Sequence, residues 1–390
     1  MLQSRIQAEM EEVRSSGLTR QITDLSFIDA VRAKNRQGKE YLVFSSNNYL
    51  GFTFHPKVRE AAARAVQKYG SGSTGARLTT GGVFGASVLE QELAAFKHAE
   101  AALLFNTGYM TNVGVLYGLA KPGDIIFSDA LNHASIIDGC RISKAKIIVY
   151  QHNDMQDLEE KLKEHPAPHE DCVRFIVTDG VFSMDGDICN LPELVQLKEA
   201  HHCLLLVDDA HAVGVIGAAG AGTASHYHLE GCVDLQVGTL SKSLASVGGY
   251  VAADEAIITY LQNKSRPFIF STFLSPGDIA AAQTALAILR QEGSAYLQRL
   301  RSNTAYVRES LNAAGLPVIP GETPIIPLVV GDAAKATAID FALRERGILI
   351  SAIRPPTVAP GASRLRLTVT ADHTREQLDT MLHGMLQVWR

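Results

Sequence analysis

VDLQVGTLSKSLASVGGYV, residues 233–251, is the stretch on which the reading of the whole chain turns. Val233, Leu235 and Val237 alternate with polar residues, the two-residue period of a strand. The run reaches Gly238, and Thr239 and Ser241 then place hydroxyls just before a single lysine, Lys242. Ser243, Ala245, Ser246, Gly248 and Gly249 follow. An ammonium among residues this small leaves room for a flat ring beside it. Hydroxyls and exposed backbone N–H groups nearby suit a phosphate. A lysine that loses its charge in such a place becomes a nucleophile toward an aldehyde. A solvent-facing lysine in a turn would show the same local pattern, so the rest of the chain has to decide.

Upstream of this stretch, short apolar runs recur at 101–105, 125–128, 147–150, 175–178 and 204–208, with helical patterns between most of them. That alternation predicts an α/β fold with a mainly parallel central sheet and helices on both faces. Ligands in such sheets bind at the carboxyl ends of the strands. The notable polar residues fall there: DALNHAS (129–135), DGVFSMDG (179–186), DDAHAVG (208–214) and Lys242 itself. Asp208 and His211 are three apart past a strand end, so both can face one crevice. A buried carboxylate opposite a pyridine nitrogen would keep that nitrogen protonated and strengthen the ring as an electron sink. His211 could then bond a phenolic oxygen, and His133 could lie over the ring. Asp208, Asp209 and His211 also have spacings found in metal sites, and a histidine such as His133 can simply satisfy buried backbone groups. The sequence Asn106-Thr107-Gly108-Tyr109 joins a strand to a helix expected from about 110 to 119, a good place for an anion.

Other segments fill in the frame. Residues 56–69 predict a helix opened by Pro56, and 87–98 a second one. GSGSTG (70–75) matches a dinucleotide fingerprint, but it follows a helix where that motif must follow a strand. Its glycines are read instead as shaping a loop against a ligand or another subunit. Residues 1–35 predict one or two polar-faced helices, 41–45 a strand, and 265–272 an extended segment ending in hydroxyls. A long helix is expected at 276–291, and beyond it an α+β region: a helix to 313, strands at 325–330, 349–352 and 364–370, and helices at 334–346 and from 374. Arg364 and Arg366 alternate on one strand, so either could grip a carboxylate bidentately or pair with a nearby acid.

Composition excludes several classes. The 390 residues are 46% hydrophobic and 20% charged, with a formal net charge of −5, which gives no case for nucleic acid or an anionic membrane as partner. No apolar run approaches spanning length. The five cysteines are widely spaced, with no CxxC pair, and read as reduced thiols of a cytoplasmic protein.

Taken in order, SNNYLG, GSGSTGARLTTGG, DALNHASIIDGCR, TDGVFSMDGD, VDDAHAVGVIG and GTLSKSLASVGGYV resemble the α-oxoamine synthases along essentially the whole chain. These are fold-type-I transferases dependent on pyridoxal 5'-phosphate (PLP), and they join an amino acid to an acyl thioester with loss of carbon dioxide. The resemblance implies a large PLP-binding domain at 46–285, a smaller α+β domain at 286–390 and an N-terminal helical arm at 1–45. It implies that Lys242 carries the cofactor and moves the α-proton, that Asp208 pairs with the ring nitrogen and His211 with the phenolic oxygen, and that His133 stacks on the ring. Gly108, Tyr109, Ser183 and Thr239 would contact the cofactor. Thr272 would reach the cofactor of a neighbouring subunit, which implies a homodimer with shared active sites. Asn47 and Arg366 would hold the amino-acid carboxylate, while Arg20 and Thr357 would contact substrate. Ser243 and Ala245 stand where the family more often has alanine and glycine.

Within the family, AIRPPTVAPGASRLRLTVTADHT resembles the member that condenses alanine with a pimeloyl thioester in biotin formation. DALNHASIIDGCR is shared with the relative that uses glycine and acetyl-CoA. An aminotransferase or lyase could use a similar lysine–aspartate site without an acyl thioester, and a non-catalytic PLP-binding protein would be expected to lose some of these groups.

Overall fold

The computed structural model describes residues 1–16, 18–20 and 22–389. They form two compact units. One holds residues 1–49, 184–186 and 298–390; the other holds residues 50–183 and 187–297.

The first unit opens with helix α1 (Leu2–Ser15), none of whose residues is buried. Of the one or two helices expected over 1–35, α1 is the one found among the described residues. Strands β1 (Leu25–Phe27) and β2 (Arg32–Asn35) stand there, joined antiparallel to β3 (Glu40–Val43). Their only buried side chains are Ala33 and Val43, too few to give a legible strand period in the sequence.

The second unit begins with α2 (Pro56–Tyr69), where Pro56 occupies the first turn and the His55 side chain accepts from the Lys57 N–H. Then come α3 (Ala86–Phe96), β4 (Ala101–Phe105), α4 (Gly108–Leu119), β5 (Ile125–Asp129), α5 (Ala134–Ser143), β6 (Lys146–Tyr150), α6 (Met155–Glu164), β7 (Arg174–Asp179), α7 (Leu191–Ala200), β8 (Leu204–Asp208), α8 (Thr223–His226), β9 (Leu235–Thr239), β10 (Gly249–Ala253), α9 (Glu255–Lys264), α10 (Arg266–Ile269) and α11 (Pro276–Ala313). The segment expected to be extended at 265–272 therefore contains a short helix. Pro267 sits in its first turn, a start signal that outweighs the β-prone residues after it. The helix at 276 does not stop near 291 but continues to Ala313.

Seven strands form the central sheet in the order β4-β10-β9-β8-β7-β5-β6. Only β10 runs antiparallel to its neighbours. Along β7, Phe175 and Val177 enter one apolar cluster with residues of α4, α5 and α9, while Ile176 enters the other with residues of α6 and α7. β8 repeats this with Leu206 on one face and Leu205 and Val207 on the other. Covering both faces explains the continuous apolar runs, and each fully buried Phe or Leu contributes about 1.5–3 kcal/mol. The chain moves outward from β5 to β6 and returns on the other side of β5 at β7. The strand order thus reverses between β5 and β7, the position at which open α/β sheets bind ligands.

In the first unit, β11 (Ile325–Gly331), α12 (Ala333–Glu345), β12 (Ile348–Leu349), β13 (Ser351–Ile353), β14 (Ser363–Thr368) and α13 (Arg375–Val388) complete the chain. β11, β14 and β13 form an antiparallel sheet, and β12 adds parallel to β3. Thr374 and Gln377 cap α13 reciprocally. Phe44, Val307, Ile326, Leu365, Leu367 and Met381 lie in this unit's core.

Candidate active site

Four strands of the second unit end in polar residues: Asp129 on β5, Asp179 on β7, Asp208 on β8 and Thr239 on β9. Asp208 is buried, and each of its carboxylate oxygens has a donor. Oδ2 accepts from Asn112 Nδ2 at 2.6 Å and Oδ1 from the Ala210 N–H at 2.9 Å. Asn112 is itself buried in α4 and also donates to Ser135 Oγ at 2.9 Å. His211 is buried in the turn that follows Asp208.

His133 caps α5, directly after β5. Its backbone N–H donates to Asp179 Oδ2 at 2.8 Å, which ties the two sides of the strand-order reversal together. Its Nδ1 accepts from the Ser135 N–H at 3.2 Å. A neutral His133 therefore carries its proton on Nε2. Burial lowers its pKa first; Asp208 opposes that shift and Lys242 adds to it, so the three residues share one electrostatic field. Asp179 is pushed well above the ordinary carboxylate range, by burial and then by the charge of Asp208 across the strand pair.

Lys242 is half-buried in the turn between β9 and β10. That turn is closed by Ala245 N–H to Lys242 O, Ser246 N–H to Leu240 O and Leu240 N–H to Gly248 O, at 2.9–3.0 Å. Thr239 Oγ1 bonds Ser241 Oγ at 2.7 Å and donates to Gly248 O at 2.9 Å. The start of α4 lies against this turn. A Cβ on Gly108 would meet Thr239 at 3.4 Å, and one on Gly249 would fall 2.7 Å from the Gly108 backbone. The first amides of α4, at Gly108 and Tyr109, have no acceptor within their own helix. Beside the Thr239 hydroxyl they form a cradle suited to a phosphate.

Tyr109 is exposed and donates to Asp138. Ser183 is half-buried at the end of a loop that His152 braces. His152 Nδ1 lies 3.0 Å from Asp129 Oδ1 and Nε2 lies 3.0 Å from Asp187 Oδ2, with the ring edge-on to Phe182. Burial opposes the charge on His152, but the two carboxylates outweigh it and raise its pKa to about 10. Thr272 is exposed; its carbonyl accepts from Asn106 Nδ2, and it bridges to Ala76. The 70–76 loop is thus packed on the chain around Thr272, with Ser73 Oγ donating to Phe273 O at 2.7 Å.

In the first unit, Arg366 is buried, with Nη2 3.1 Å from Asn47 Oδ1 and Nη1 3.2 Å from Thr368 Oγ1. Arg364 is instead engaged by the carboxylate of Asp185. Of the two arginines that alternate on β14, Arg364 thus takes the ion-pair alternative. Arg20 and Thr357 are exposed. Sequence reasoning assigned no site role to Asn112 or Asp179. Asn112 was signalled only as a polar residue in an otherwise apolar helix, and Asp179 only by its position at a strand end.

The family model for aminotransferase class I and II matches residues 39–384. The chain belongs to this family. It is 46% identical over 387 residues, 99% of this chain and 98% of the relative, to an 8-amino-7-oxononanoate synthase of Lysinibacillus sphaericus. A serine palmitoyltransferase variant from S. paucimobilis, solved with a bound PLP–myriocin aldimine, superposes with a TM-score of 0.92 at 32% identity, covering 98% of this chain and 96% of that one. An 8-amino-7-oxononanoate synthase from Francisella tularensis superposes at 0.75 with 28% identity, covering 89% and 97%. The chain is a fold-type-I PLP enzyme of the α-oxoamine synthase group. The site fits that cofactor on its own geometry: a cradle between Gly108 and Thr239 that any added Cβ would narrow, and a buried carboxylate held ready at Asp208. Asp209 does not gather with Asp208 and His211 as a metal ligand, because its carboxylate is bound by Lys97. Among the described residues, no helix is long and apolar enough to cross a membrane.

Two residues of the turn that holds Lys242 carry a cost. Ala245 sits at φ +53°, in the left-handed region that glycine enters without penalty. Ser243 Oγ is buried with no hydrogen-bond partner. Ala245→Gly and Ser243→Ala are each expected to raise stability by about 0.5–1 kcal/mol, read as an increased denaturation midpoint.

His152→Gln is expected to lower stability by about 1–3 kcal/mol at neutral pH, because two carboxylates lose their shared cation. The folded pKa is raised, so the contribution of His152 is complete below its ordinary value of 6.5 and is lost as pH rises through about 10. Unfolding midpoints of the two proteins should therefore converge only on the alkaline side.

Proposed function

We propose that this chain condenses L-alanine with a pimeloyl thioester, carried by coenzyme A or a carrier protein, to give 8-amino-7-oxononanoate and carbon dioxide in biotin formation. The observation that carries this reading is the full-length likeness to the Lysinibacillus relative of that name, in a chain with His133, Asp208 and Lys242 in one electrostatic field. The bond made joins the alanine Cα to the thioester carbonyl carbon. The C–S bond breaks, the thiol leaves, and the carboxylate departs as carbon dioxide.

PLP supplies an electron sink for negative charge at the substrate Cα. The chain does the rest. Lys242 Nζ, as a neutral amine, would take the Cα proton and return one at the end. The carboxylate of Asp208 holds a proton at the ring nitrogen. His133, kept neutral by burial and with its proton on Nε2, donates toward the thioester oxygen as charge develops there. Gly108, Tyr109, Ser183, His211 and Thr239 hold the cofactor. Asn47 and Arg366 take the amino-acid carboxylate, with Arg20 and Thr357 assigned to substrate. Thr272 is assigned to the cofactor of a second copy in a homodimer.

The test is thiol release by the PLP-loaded protein, with alanine, glycine and serine crossed against pimeloyl-, acetyl- and palmitoyl-CoA. Alanine with pimeloyl-CoA should be preferred, and Lys242→Ala should lower its turnover by more than about a hundredfold. Preference for glycine with acetyl-CoA would overturn the substrate assignment. Full activity in Lys242→Ala would overturn the mechanism.

A further inference from the structure

One strongly held charge pair lies outside the groups so far assigned. Lys97, at the end of α3, is buried, and its Nζ lies 2.6 Å from Asp209 Oδ2 and 2.6 Å from Ala221 O. The two side chains are only 1% and 2% exposed. Asp209 Oδ1 also accepts from Thr223 Oγ1 at 2.6 Å, and Oδ2 from the Thr223 N–H at 3.1 Å. No space is left around the pair. A Cβ on Gly222 would fall 2.2 Å from Asp209 Oδ2, and one on Gly180 would fall 2.4 Å from Oδ1.

The backbone of Asp209 is fixed as firmly as its side chain. Its N–H donates to Val237 O on β9 at 2.8 Å, and its carbonyl accepts from Ala212 and Val213 at 2.9 and 3.0 Å. Those two amides belong to the two residues directly after His211. Lys97 is tied to the same strand, because its carbonyl accepts from Gln236 Nε2 at 2.9 Å. Asp209 is therefore the pivot between Asp208 on one side and His211 on the other. A buried ion pair adds little net stability over apolar packing, so stability alone is a weak reason to bury one here. What the pair does supply is a single permitted position for the 208–213 turn.

We infer that Lys97 and Asp209, with Thr223, are positioning residues whose contacts set the turn that presents Asp208 and His211 to PLP. This rests on the cofactor roles proposed above for Asp208 and His211. The pair touches neither cofactor nor substrate and acts only through its neighbours.

Two variants test it. Thr223→Val removes one hydroxyl contact to Asp209 and keeps the ion pair. Lys97→Met/Asp209→Asn removes both charges and leaves an amide oxygen for Thr223. The readouts are the PLP dissociation constant and the visible circular dichroism of bound PLP, with thermal midpoint measured alongside. The double variant should bind PLP about tenfold or more weakly with a diminished visible dichroic band, and Thr223→Val should shift both in the same direction by a smaller factor. A purely structural pair would move the thermal midpoint alone. Unchanged PLP affinity and dichroism in any folded variant of the two overturns the inference, and Thr223→Val decides it if the double variant does not fold. A wild-type protein that binds PLP but releases no thiol from any substrate pair would overturn the proposed reaction and leave this inference standing.

Discussion

The hydrogen bonds that hold the Asp208 carboxylate in a dry site are the constraint from which the rest follows. A buried carboxylate is costly unless its oxygens are engaged. Asn112 and the Ala210 amide engage both of them. Supplying the Asn112 donor brings α4 against the end of β8, and the start of the same helix lies beside Thr239. The end of the neighbouring strand β7 carries Asp179, whose carboxylate bonds the His133 N–H across the reversal in strand order. The cradle at the start of α4, Asp208 and His133 thus gather at the carboxyl ends of neighbouring strands, where the proposed cofactor roles need them.

The electrostatics divide labour among acids that look alike in sequence. Asp179, Asp208 and Asp209 are all buried within the second unit. Asp209 has an ammonium, Asp208 has neutral donors, and Asp179 is driven toward its neutral form. The neutral donors Asn112 and Ala210 orient the Asp208 carboxyl group, which suits it to the proposed role of facing a cationic ring nitrogen. His152 plays a different part at the outer end of β5, where a retained charge bridges two carboxylates.

Much of this was legible from the sequence. The alternating apolar runs marked the central strands because both their faces are covered, and Lys242, Asp208 and His133 stood out as polar residues at strand ends. What stayed hidden has physical reasons. β1 and β2 bury almost nothing, so they carry no period. β10 follows a glycine-rich turn that masks its start. Lys97 looks like an ordinary solvated lysine at the end of a helix, and only the fold shows that Asp209 and Ala221 surround it. Ala245 gives no sign in the sequence of its left-handed backbone, since alanine is permitted almost everywhere else.

The measurement that tests the account most directly is nuclear magnetic resonance of isotopically labelled pyridine nitrogen in PLP bound to the protein. The account predicts a protonated nitrogen at neutral pH in the wild type, and an unprotonated one in Asp208→Asn that still binds the cofactor. An unprotonated nitrogen in the wild type, or no change on replacing Asp208, would contradict it.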